Sequence, residues 1–331
     1  AYPGEKPVIS GGIPITGWKE GEGGLWTADV PLAKGAGWRF REMWVNGRRC
    51  IPARTPNFGK AIWSNGAVKP KGEEAEVPLF NYKHITYNAA DSELWGRLSE
   101  SKDTGIFVAF HSFNTSKHNI GSIDKQRKAV FSPNRAEKSG LPDQRYYVAY
   151  NRRSLDAPGE WYLDTKKGTV SYYPRQGEDM TNAHVIVPSG RTLLKATGDA
   201  ASGERVEYVR FEGLSFQYTD WLMGDDTMMD GHSDMRGDRI RTAVVHMTYA
   251  ENCELTACEI AHTGNWALQF GEGCKWNKVE QCHLYDLGAG GVIMGEIDKP
   301  EREEQRAEHN VVHNCFIHHG GRVFQAAVGI W

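Results

Sequence analysis

The sequence predicts an all-β chain: a parallel β-helix with an antiparallel β-sandwich inserted near its start. Three observations carry this. Composition changes near residue 184, with seven of the eleven Trp before it and five of the six Cys and eight of the twelve His after it. The earlier part is dense in hairpin signals. The later part holds a repeat of about 24 residues with alternating apolar positions and no helical period. Hydrophobic residues at 40% and charged residues at 24% describe a globular chain and exclude a disordered one. A net charge of −3 gives no electrostatic case for nucleic acid or an anionic membrane. No stretch approaches the roughly 18 apolar residues of a membrane span.

In chain order, residues 1–16 read as a first β-helix turn, 17–184 as the inserted sandwich and 185–331 as the remaining turns. Within the insertion, Asn46-Gly47 joins the runs Arg39–Val45 and Arg48–Arg54, and Asn-Gly between such runs is the strongest short hairpin signal. A second hairpin joins Glu160–Leu163 to Thr169–Tyr173 through a turn at Asp164–Gly168. Gly105–Phe110 and Arg145–Tyr150 read as strands, and Thr115–Lys128 as a polar loop.

The repeat aligns on Cys258, Cys282 and Cys315. Ile260, Leu284 and Ile317 follow two residues later, then His262, Asp286 and His319, then Gly264, Gly288 and Gly321. Leu255, Val279 and Val312 precede each Cys, with Asn252, Asn277 and Asn310 just before those. Phe211, Leu214, Phe216 and Tyr218 form a looser earlier copy. Stacked turns of a solenoid place equivalent residues in columns about 4.8 Å apart. The Cys column reads as buried thiols, with disulfides between turns left open. The chain opens without Met and closes on a strand-like Ala327–Trp331. We therefore expect a piece of a longer polypeptide whose turns continue past Trp331.

The column His262, Asp286, His319 is the leading candidate site. Charges are costly inside a solenoid, so the column belongs at a turn mouth. It serves there either as a polar ladder or as a carboxylate flanked by imidazoles. The glycine-rich bend Gly288-Ala289-Gly290-Gly291 leaves room for a substrate to approach the backbone. Two carboxyls about 5 Å apart suit a retaining glycosidase and about 6.5–9.5 Å an inverting one. Glu272 and Glu296, at strand ends, are the candidate partners, with Glu296 carried forward; otherwise the partner lies beyond Trp331. Trp266, Trp221 and Trp63 are candidate sugar platforms, since an indole face matches the C–H face of a pyranose. The acidic run Gly224–Arg239 lacks the ligand spacing of an EF-hand loop, which leaves calcium as the one cofactor to consider and otherwise none. His309, His313, His318 and His319 divide between strand faces, so no metal site is assigned to them.

Several segments carry a resemblance. Tyr2–Gly12 resembles the early turn of carbohydrate-active β-helix proteins. Val45–Arg49 with Ala53-Arg54, and Gly159–Asp164 with Tyr172–Pro174, look like the sandwich inserted there. With Asp286–Gly291, the order is similar to glycoside hydrolases of the family 120 and family 141 type, over nearly the whole chain. These include β-xylosidase, xylanase and α-L-fucosidase activities. The resemblance implies a right-handed solenoid, a secreted or periplasmic location, and a sandwich that lends loops such as the one bearing Trp63 to the groove. In family 120 it implies an Asp nucleophile, matched by Asp286, and a Glu one turn later. Here that position is His319, which favours the family 141 branch.

The expected function is hydrolysis of glycosidic bonds in a complex, plant-type polysaccharide. Asp286 and Glu296 are the catalytic candidates. Trp266, His262, His319, Arg322 and Trp63 are the substrate contacts, and carbohydrate is the partner. One rival is a polysaccharide lyase, kept open by Arg322 beside His319. The other is a non-catalytic glycan-binding solenoid.

Overall fold

A computed structural model of the chain describes residues 1–2, 4–35, 38–59, 62–63, 80–81, 84–86, 92–100, 105–110, 115–124, 129–131, 145–222, 228–230, 242–296 and 300–331. It is an all-β protein with parallel sheets, and Ser92–Ser99 is the one α-helix among the described residues. No described helix is long and apolar enough to cross a membrane.

The repeat organises three parallel sheets. Val8–Ser10, Ser215–Gln217, Glu259–Thr263, His283–Leu287 and Phe316–His318 lie side by side in that order. Arg210–Glu212, Glu254–Thr256, Lys278–Glu280 and Val311–His313 form the second sheet. Leu194–Thr197, Ala243–Thr248, Trp266–Phe270 and Val292–Met294 form the third. The register aligns Phe216, Ile260, Leu284 and Ile317 as one column, as the sequence alignment requires. These residues face a shared core with Leu255, Val279, Leu268 and Phe270. All six Cys are free thiols. Cys258, Cys282 and Cys315 each point back to a carbonyl of the preceding copy, at Phe211, Leu255 and Val279. The thiols thereby satisfy carbonyls at a bend where the strand ladder is interrupted.

Between these strands the backbone turns at single left-handed residues. One set is Asn252, Trp276 and His309, another Ala257, Gln281 and Asn314, and a third Tyr218, His262, Asp286 and His319, all with φ between +49° and +62°. Such a conformation costs a non-glycine residue about 1–2 kcal/mol, which the parallel pairing on either side must offset. One detail of the alignment changes. Asn277 stacks with Cys253 and Asn310, not with Asn252, and its amide bridges Ala250 O and Asn310 Oδ1 at 2.8 and 2.9 Å.

The region between the first and later parallel strands is largely antiparallel. The Asn-Gly hairpin forms as Trp44–Val45 and Arg48–Arg49, with both turn residues at positive φ, as a type I′ turn needs. It lies in a sheet with Val185–Pro188 and Gly12–Ile15, so this sheet begins two residues after the first parallel strand ends. Glu160–Asp164 pairs with Thr169–Tyr172, and Ile106–Phe110 with Arg145–Ala149, at the places the sequence indicates. The segment expected as a polar loop contains two strands, Thr115–Asn119 and Ser122–Asp124. Thr115, Ser116, Lys117 and His118 are buried there against Ile106–Phe110. Polar composition misled the expectation because this strand is central in its sheet, between Ile106–Phe110 and Met228–Asp230. Apart from the backbone of that last strand, the acidic run Gly224–Arg239 considered for calcium lies outside the described residues.

Candidate active site

The Asn-Gly hairpin sets Trp44 directly opposite Arg49, which places both side chains on one face. That face meets the Tyr218–His262–Asp286 column. Trp44 packs edge-on to Tyr218, with ring centroids 5.3 Å apart, and the Tyr218 and His262 rings stack at 5.0 Å. The Arg49 guanidinium lies 4.8 Å from the Trp44 ring centroid, within cation–π range.

Asp286 is held on every side. Its Oδ1 accepts from Arg49 Nε at 2.8 Å, and its Oδ2 accepts from Trp44 Nε1 at 2.9 Å and His262 Nδ1 at 2.8 Å. Arg49 Nη2 also donates to the carbonyls of Asp286 and Thr263, tying the hairpin to two successive copies of the repeat. Burial alone would raise the Asp286 pKa. Arg49 and the His262 hydrogen bond outweigh it and hold the carboxyl well below the usual carboxylate range. Asp286 is therefore ionised, and His262 carries its proton on Nδ1.

Arg49 Nη1 also donates to Glu42 Oε2. Glu42 is only 3% exposed, and its other oxygen accepts from Trp221 Nε1 at 3.0 Å. Burial pushes the Glu42 pKa upward, Arg49 opposes, and the Asp286 charge adds to the rise. One guanidinium thus separates two carboxyls whose environments drive their pKa values apart. Behind them, burial raises Asp220 to about 8 although it accepts the Arg41 and Trp221 N–H groups.

Asp286 and Glu42 line a cavity of about 560 Å³. His262, His319 and Arg322 line it too, and Arg322 Nε comes within 3.9 Å of Asp286 Oδ1. The column and Arg322 are therefore gathered at one site, as the spacing implied. His318, weighed in the sequence only as a metal ligand, joins them. Its Nε2 lies 2.7 Å from His283 Nε2, and its Nδ1 contacts His319 Nδ1. The other two histidines weighed for metal lie elsewhere: His309 stacks on Trp276, and His313 pairs with Glu280. No group of three or more metal-ligating side chains occurs among the described residues.

Other expectations are corrected. Trp266 is no sugar platform: it is 2% exposed, in a buried cluster with Ile106, Val108, Tyr147, Trp221 and Phe324. Trp266→Ala should lower stability by about 3–5 kcal/mol in urea unfolding. A specific loss of glycan affinity in the folded variant would contradict this assignment. Glu296 does not line the Asp286 cavity. The strand Val292–Met294 carries it to the next bend, where it accepts from Glu272 N and Gln269 Nε2 beside a separate cavity. Trp221 serves as a donor to Glu42 rather than as an open platform. Trp63 lies in the strand Ile62–Trp63, with its side chain outside the described residues.

The glycines also act differently from the expectation. A Cβ on Gly288 would stand 2.0 Å from Gly264 O, and one on Gly290 2.2 Å from the Trp266 ring. The space reserved for a substrate is thus filled by the neighbouring copy of the repeat. Gly288→Ala should cost about 1–3 kcal/mol or more through overpacking, read as a lower unfolding midpoint. An unchanged midpoint would contradict this packing.

Glu42, Arg49 and Trp44 are the functional candidates that sequence reasoning missed. The one available signal was Glu42 itself, the lone acid between Phe40 and the apolar stretch Met43–Val45 that leads into a recognised hairpin.

No family model matches the chain, and no curated protein matches it. Among solved structures, it is similar to one described as "Glycoside hydrolase", with a TM-score of 0.80 and 23% identity over 99% of this chain. A second, described as "The complex structure of XylC with xylose", gives a TM-score of 0.43 and 13% identity over 99% of this chain and 46% of that one. The chain spans 62% of the length of the first. It therefore shares the fold of that structure.

Proposed function

We propose that the chain is a glycoside hydrolase of the family 120 and 141 type. Its parallel sheets would wind as a right-handed β-helix, and residues 17–184 would form the inserted sandwich. The reading rests chiefly on one observation: two carboxyls joined by one guanidinium line one cavity, Asp286 bonded by Arg49, Trp44 and His262 and Glu42 buried beside Trp221, and these surroundings drive their pKa values in opposite directions. That division is how a pair of acids splits into nucleophile and proton donor. Glu42 takes the place expected for Glu296. One guanidinium joins them, bonding Asp286 Oδ1 through Nε and Glu42 through Nη1, and the separation of the two carboxyls decides between the retaining and inverting geometries.

In this mechanism Asp286 stays ionised and attacks or stabilises the anomeric carbon as positive charge develops. Protonated Glu42 gives its proton to the departing oxygen, which leaves as an alcohol. Water completes the cleavage, with Glu42 as base. Trp44, His262 and Arg49 fix the nucleophile and exclude alternative rotamers.

The test is the pH profile of kcat/KM. Activity needs Glu42 protonated, so it should fall on the alkaline side, at a pH above the ordinary carboxylate range. Glu42→Gln should remove that limb and lower turnover about 10²–10⁴-fold. It should recover turnover on an aryl glycoside whose leaving group needs no proton. A Glu42→Gln variant with the parent profile would overturn the assignment. Ultraviolet-absorbing unsaturated ends among the products would point to a lyase instead.

A further inference from the structure

The cavity around Asp286 is unbalanced in charge. Arg48, Arg49, Arg54, Lys117, Arg175 and Arg322 line it, against the carboxyl groups of Glu42 and Asp286. Some of these cations are committed. Arg49 serves both carboxyl groups, Arg175 pairs with Glu178 at 3.1 Å, and Arg54 donates to Pro56 O while lying over the Tyr147 ring. Arg48 and Arg322 differ. Arg48 is solvent-exposed on the hairpin strand and makes no side-chain hydrogen bond or ion pair among the described residues. Arg322 is 37% exposed, and its one approach to an acid among the described residues is the 3.9 Å contact with Asp286 Oδ1. That oxygen already receives Arg49 at 2.8 Å. Both acids of the cavity are thus engaged by Arg49 and by indole donors, while two guanidinium groups at its edge retain unused donors.

A neutral sugar gives such groups only hydroxyls. An anionic oxygen pair on the ligand matches a guanidinium fork in shape and in charge. From this juxtaposition we infer that the site takes a glycan bearing an acidic group, a uronate carboxylate or a sulfate ester, received by Arg322 and Arg48. The inference rests on the glycosidase reading for the identity of the cavity as an active site, and it names the substrate class. It also explains a site that is cationic in a chain of net charge −3. The field of a lined cleft, and not the total charge, decides which ligand is concentrated there.

The test uses the whole chain carrying Asp286→Asn, so that binding is read without turnover. Matched oligosaccharides are titrated calorimetrically: a uronate-bearing one against its carboxyl-reduced form, and a sulfated one against its desulfated form. At least one acidic member should bind about tenfold or more tightly than its neutral counterpart, and less tightly as salt rises. Arg322→Met should erase most of that preference, and Arg48→Met a smaller part. The more favoured acid identifies the source of the anion. Equal affinities within both pairs, or a preference that survives both substitutions together, would overturn the inference. Turnover by the parent chain separates the two claims. Hydrolysis of neutral glycans alone would leave the glycosidase reading standing and remove this one. Selective binding of acidic glycans with no cleavage would do the reverse.

Discussion

Asp286→Asn should lower kcat by about 10³-fold or more, the scale on which removing one member of an interdependent catalytic set acts. The substitution keeps the shape of the side chain and removes the charge. Its carbonyl oxygen can still accept from Arg49 Nε, while the amide takes the place of Oδ2 and faces His262 and the Trp44 N–H. The loss should therefore be one of chemistry more than of folding. KM should change much less than kcat, because the charge matters most when the anomeric carbon becomes cationic. Kinetics of the purified variant, with its thermal midpoint measured alongside, provides the check. Turnover within tenfold of the parent would remove Asp286 from the mechanism.

Arg49→Met should have the largest effect on stability. It strips the partner from two buried carboxyls at once and releases two backbone carbonyls of successive repeat copies. Breaking a buried pair by removing one member costs about 3–5 kcal/mol. Urea unfolding should show a loss of that size, and a loss below about 1 kcal/mol would contradict the role assigned to Arg49. Asp286→Asn in the Arg49→Met background should cost less than in the parent, since the partner is already gone. The acid limb follows from the same contact. The folded Asp286 titrates below its unfolded value near pH 3.9. Its stabilisation is thus complete above that value and is lost as pH falls further, toward the depressed folded pKa. Arg49→Met should flatten this limb.

The parts that were legible in the sequence share a cause. A parallel stack repeats its register, so columns such as Phe216–Ile260–Leu284–Ile317 can be counted directly from spacing. The His262–Asp286 contact follows from the same counting, as does the placement of His319. The Arg49 contact does not, because it joins residues 237 apart. The hairpin signal sets Trp44 and Arg49 on one face without stating what that face meets. Their target becomes fixed only when Val185–Pro188 pairs with both Trp44–Val45 and Gly12–Ile15. That pairing draws the hairpin onto the column. Trp266 failed for a related reason. Its place beside a glycine bend looked open, yet residues from the intervening region, Ile106, Val108 and Tyr147, complete the cluster that buries it. Glu296 was chosen by its position at a strand end, but a strand end ten residues on lies at a different bend of the stack.

The central claim is that Asp286 and Glu42, held by one arginine, cleave a glycosidic bond. Product analysis of the parent chain beside Asp286→Asn and Glu42→Gln, on a panel of acidic and neutral oligosaccharides, tests it most directly. The expected result is new reducing ends from the parent, at least about 10²-fold fewer from either variant, and no unsaturated ends from any of them. Equal release by parent and variants, or no release by the parent from any member of the panel, would contradict it.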